Sequence, residues 1–184
     1  MTITVAQATE IANGHLRSMS DDEVALRLLP NKTKEFDVGW VFYYQSDRYL
    51  ETGDFSDMLA GNNPLFIARS DGRLFWVDFH RPLEGSLKAY RASGDLNARE
   101  TSFVQLTGWR EGALVIPAIR AIRQHAPLGL EVAKQLVDSC LAGESPVVEV
   151  SSVAEAQTLV QSLDALGFGA SVRYGPSSPP IIPA

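Results

Sequence analysis

The chain has 184 residues, 45% of them hydrophobic, enough to build one large core or two small ones, and two fit the usual domain size better. Its 16 basic and 22 acidic residues give a net charge of −6 with no Lys/Arg-rich tract, which argues against nucleic acid as a main partner. No segment approaches the roughly 20 apolar residues that cross a bilayer, Met1 to Val5 lacks the pattern of a signal peptide, and a lone Cys140 forms no internal disulfide, so a cytoplasmic protein without membrane contact is expected.

Thr4-Val5-Ala6-Gln7 is a capping-box pattern that opens a helix running to about Met19, with Val5, Ala8, Ala12 and Leu16 at helical spacing. Val24 to Leu29 reads as a strand ended by Pro30-Asn31. Phe36 to Tyr44 reads as a second strand, apolar on both faces and therefore covered twice, with Trp40 in the core. Asp47 to Asn63 is irregular. Leu65 to Arg69 and Arg73 to Phe79 flank Asp71-Gly72, a strong hairpin signal, and Arg81 to Ala92 closes the region as a helix.

This order, with Gly39-Trp40-Val41-Phe42-Tyr43-Tyr44, Gly61-Asn62-x-Pro64-Leu65, Asp71-Gly72, Pro82 and Tyr90, resembles the immunity protein 35 family, also called YrhB-like, over most of residues 1–92. Its members are small α+β proteins encoded beside bacterial toxins. The resemblance implies a protein that binds and blocks a cognate toxin without catalysis. Within the long loop, Glu51, Asp54 and Asp57 are the candidate contacts for a basic toxin site, with a plainly solvated face as the alternative. Tyr49, Phe55 and Met58 read as a satellite core beneath the loop.

Ser93 to Glu100 has the composition of a short flexible linker. Ser102 to Thr107 is a short strand, and across Gly108-Trp109-Arg110 a helix follows with Ile116, Ile119 and Ile122 on one face and Arg120 and Arg123 on a neighbouring one. Pro117 suits that helix's first turn, and Pro127 and Gly129 break it. A further helix from about Leu130 buries Leu130, Ala133, Val137 and Cys140. Val147 to Val150 is a strand. Ala154 to Leu166 is a helix opened by the capping box Ser152-Val153-Ala154-Glu155 and stopped at Gly167, and Ala170 to Tyr174 is the closing strand.

The run Leu128-Gly129-Leu130, Ala133-Lys134, Leu136-Val137, preceded by Ile119-Arg120-Ala121-Ile122-Arg123, resembles the C-terminal domain of the large-subunit ribosomal stalk protein, which recruits translation GTPases. The similarity spans Thr101 to Tyr174, with Pro127 in place of the family's first Gly of the run. It implies a docking face made of Ile116, Ile119, Arg120, Arg123 and Lys134. For the two isoleucines the alternative is ordinary core packing, and for the cations a solvated helix face.

The expected fold class is α+β: a helix plus antiparallel sheet domain at 1–93, a linker at 94–100, a β-α-α-β-α-β domain at 101–175 and a Pro-rich tail at 176–184. His15, His80 and His125 are isolated from one another and from the single Cys, so no zinc site is expected, and no cofactor. Asp78 and His80 share a strand face, but no nucleophile in a sharp turn accompanies them, and a surface hydrogen bond is the expected use. The leading expectation is a non-enzymatic immunity-type protein. The alternatives are a translation accessory factor that binds a GTPase, and an adaptor or dimerisation unit.

Overall fold

The computed structural model describes residues 2–20 and 24–176, and the chain divides into two compact units, Met1–Asn97 and Ala98–Ala184. It is an α+β protein of helices and antiparallel sheets. Past Pro176 the Pro-rich tail lies outside the described residues.

In the first unit α1 (Val5–Met19) starts on a complete capping box, with the Thr4 hydroxyl accepting from the Gln7 amide and the Gln7 side chain accepting from the Thr4 amide at 2.9 Å. Ala8, Ala12 and Leu16 are buried, and the two small side chains let the helix lie close to the sheet. Val5, expected on that face, is half exposed, because a first-turn side chain leans back past the end of the core.

β1 (Leu26–Leu28) is a short piece of the first expected strand. The second expected strand is in fact three: β2 (Lys34–Phe36), β3 (Gly39–Phe42) and β4 (Tyr44–Ser46). Asp37-Val38 turns the chain between the first two, and β4 leaves to pair with β1 in a separate two-stranded sheet. Alternating apolar residues ran through both breaks, so periodicity alone did not reveal them.

The stretch read as irregular holds α2 (Asp47–Thr52) and a 3-10 turn at Phe55–Asp57. β5 (Leu65–Ala68) and β6 (Leu74–Trp76) form the hairpin around Asp71-Gly72, where Gly72 has φ +75°, and complete a four-stranded sheet ordered β2-β3-β5-β6. α3 (Leu83–Ser93) ends at Gly94 in the left-handed conformation.

β3 and β5 are buried along their whole length, for the reason their two-sided apolar pattern suggested. Trp40, Phe42, Leu65 and Ile67 pack with α1, while Val41, Phe66 and Ala68 pack with Leu87 and Tyr90 of α3. The stretch read as a flexible linker contributes to the same layer: Leu96 is fully buried and the Asn97 side chain donates through Nδ2 to the Trp76 carbonyl at 2.8 Å.

The second unit runs β7 (Arg99–Trp109), α4 (Val115–His125), α5 (Leu130–Leu141), β8 (Val147–Glu149), α6 (Val153–Ala165) and β9 (Phe168–Gly175). Its sheet is ordered β8-β7-β9, antiparallel throughout. Val104, Leu106, Ile122, Val137, Cys140, Leu159 and Phe168 form its core. Leu130 does not join them: it is 59% exposed at the first position of α5, beyond the reach of the core.

Candidate protein-binding surfaces

The residues that carry the resemblance in the first unit are scaffold. At Gly39 an added Cβ would sit 2.2 Å from the Ile67 carbonyl oxygen, so only glycine lets β3 and β5 approach there. The Trp40 ring is buried under the Arg69 guanidinium, 4.2 Å from its centroid. Asn62 donates to the Tyr44 carbonyl at 3.0 Å, and the Pro64 carbonyl accepts from Val77. Burial raises the Tyr44 phenol above its usual range, an effect the Asn62 side chain opposes. Tyr90 meets Phe66 and Phe75 edge-on, at centroid distances of 5.1 and 5.7 Å. A binding surface, by contrast, needs exposed residues.

The segment from Gln45 to Leu59 supplies them. Ser46 caps α2 by accepting from the Tyr49 amide, and its hydroxyl donates to the Asp57 carbonyl at 2.5 Å. The Gln45 side chain holds both the amide and the carbonyl of Leu59, at 2.6 and 3.1 Å. Asp54 caps the 3-10 turn: its carboxylate accepts from the Ser56 amide and hydroxyl, which hold it below the usual carboxylate range.

The three candidate carboxylates thus separate. Asp57 is a support, its side chain only 17% exposed and paired with Arg48 at 3.1 Å. The Glu51 side chain is 68% exposed and touches Arg27 at 3.5 Å. Asp54 is exposed. The satellite core expected beneath them does not form: Phe55 is 77% exposed, Met58 37%, and Tyr49 only tilts against the Phe55 ring. Caps at Ser46 and Asp54 were legible as residue types, but the outward direction of Phe55 was not.

In the second unit the five expected contacts also separate. Ile116 is 64% exposed, whereas Ile119 is buried in the core, so only the first can touch a partner. Arg120 and Arg123 are exposed and make no ion pair among the described residues. With Ile116 they lie at i, i+4 and i+7, one stripe of α4. Lys134 on α5 is committed to Asp138 at 2.6 Å, which raises its pKa. A separate apolar groove of about 390 Å³ runs between α5 and β8, past Leu128, Val132, Leu136 and Val148, away from that stripe.

Asp78 and His80 sit in the turn after β6 rather than on a strand, 3.3 Å apart. His125 at the end of α4 meets Glu155 in the first turn of α6 at 2.5 Å, a tie between two helices. Among the described residues no group of His, Cys, Asp and Glu side chains is arranged to hold a metal, and no helix is long and apolar enough to cross a membrane.

Comparison with known proteins places these features. No solved structure matches the chain. An uncharacterized protein from Escherichia coli K12, YrhB, is 33% identical over 88 residues, covering 88% of that protein and 48% of this chain. The model of the immunity protein 35 family matches residues 6–93, the segment from α1 through α3. With that stretch forming the three layers around β3 and β5, the chain belongs to the immunity protein 35 family.

Proposed function

We propose that this chain is a non-enzymatic, cytoplasmic immunity-type protein whose first unit binds a cognate toxin and blocks it by occlusion. The observation that carries the reading is the family match over residues 6–93, together with a segment of that same unit that exposes Glu51, Asp54 and Phe55 on a braced base. The family's name speaks for toxin binding. Occlusion needs only a surface complementary to the toxin, and the exposure of this segment supports it as that surface. Co-expression with toxins encoded beside the gene tests it: growth is restored by the chain and not by an empty vector. Killing by every such toxin, undiminished in the presence of the chain, would refute it.

A second reading concerns α4. Ile116 exposed beside Arg120 and Arg123 favours a docking stripe for an acidic helix with an apolar centre, the cations speeding and orienting the encounter. The resemblance of residues 101–174 to the ribosomal stalk C-terminal domain makes a translation GTPase the partner to try. Pull-down of elongation factors is expected from the unmodified chain and lost in the Arg120→Glu, Arg123→Glu variant. Absence of binding by the unmodified chain ends this reading.

A further inference from the structure

Among the described residues Phe55 is the most exposed large hydrophobic side chain, at 77%. Leaving a phenylalanine in water forgoes the gain that burying its ring would bring. A single exposed aromatic on a loose loop is ordinary, but this one stands on a braced turn. The Asp54 cap, the Arg48 to Asp57 ion pair and the Ser46 bond to the Asp57 carbonyl fix the backbone on either side of it. The Thr52 hydroxyl adds a bond to Arg48 and a 3.4 Å contact with Asp57. These contacts order the turn before any partner arrives, so binding through Phe55 costs little conformational entropy.

The surroundings state the partner's chemistry. Residues 47–58 hold four carboxylates against one guanidinium. Asp47 and Asp57 are engaged by Arg27 and Arg48, whereas Asp54, directly before the aromatic in the chain, and Glu51, four residues before it and also within 3.5 Å of Arg27, stay exposed.

We infer that Phe55 is the anchor of the toxin interface, inserting into an apolar pocket rimmed by Lys or Arg side chains on the toxin, with Glu51 and Asp54 facing that rim. The inference rests on the immunity reading above and adds the residue and the partner surface. Hot-spot residues of this type are aromatic, rigidly held and central, while flanking charges set the association rate.

The test uses a catalytically inactive form of a toxin that the full chain suppresses, titrated with purified full-length variants. Phe55→Ala is expected to bind about 30-fold more weakly or worse. Its melting temperature should stay that of the unmodified chain, since the side chain supports no core. Glu51→Lys, which leaves the Asp54 cap in place, is expected to slow association and weaken its dependence on salt. Phe79→Ala, which removes another exposed phenylalanine outside the segment, is expected to bind within about twofold of the unmodified chain. Phe55→Ala binding as tightly as the unmodified chain overturns this inference alone, as does an equal loss in Phe79→Ala. A chain that suppresses no toxin overturns the immunity reading and this inference with it.

Discussion

At Gly39 a single missing Cβ decides how two central strands approach. A methyl group there would meet the Ile67 carbonyl at 2.2 Å and the Phe66 ring at 2.8 Å, and neither belongs to a flexible surface side chain. Gly39→Ala is therefore expected to destabilise the first unit by about 2–3 kcal/mol, read as a lower denaturant midpoint; an unchanged midpoint would contradict the close approach. Surface carboxylates set the acid limit. Asp37 is held below its ordinary pKa by hydrogen bonds from Arg91, and Asp71 by the Arg73 amide. A carboxyl depressed in the folded state stabilises it above the unfolded value, near 4, and that contribution is lost as pH falls through the native value. The melting temperature is expected to hold from neutrality to about pH 5 and to fall below about pH 4, less steeply in Asp37→Asn. Identical profiles for the two proteins would remove Asp37 from this account. Cys140 behaves oppositely as an acid: burial pushes its thiol up, and it donates to the Gly108 carbonyl at 3.4 Å. A thiol reagent at about pH 8 should label it only when the second unit unfolds, and rapid labelling of the folded chain would contradict its burial.

Elements form here where local signals and tertiary demands coincide. The capping box at Thr4 and the Ser152 cap open helices where their residue types suggest, but the second box is only half made, because the Glu155 carboxylate turns to His125 instead of the Ser152 amide. α2 escaped the sequence reading because six residues are too few to display periodicity, although Ser46 and Gly53 are a start and a stop of standard type. The same Ser46 ties α2 to the 3-10 turn. Ser46→Ala is expected to cost about 1–2 kcal/mol and to raise amide exchange at Tyr49 and Asp57, since the cap and the bridge are lost together. Exchange confined to Tyr49 would mean that the bridge to Asp57 carries nothing.

On the scale of the whole molecule, two cores built by separate stretches of chain predict separable folding. Leu96 and Asn97 close the first unit, and β7 opens the second at Arg99. Pieces 1–97 and 98–176 should each show cooperative melting and dispersed amide resonances, and a molten 98–176 piece would contradict a self-sufficient core around Val104, Val137 and Leu159. Suppression of a toxin should remain with the first piece.

Sequence by itself determined the α+β class, the caps, the Asp71-Gly72 hairpin and the burial of Trp40, because each rests on short-range periodicity or on a residue's own backbone preference. It also carried the family, through residues that turn out to hold the scaffold. Tertiary structure decided which exposed-looking residues are free. Asp57 and Lys134 are committed to partners, Ile119 is core, and Phe55, expected inside, stands outside. Those outcomes depend on what approaches from distant segments, which no local pattern in the chain encodes.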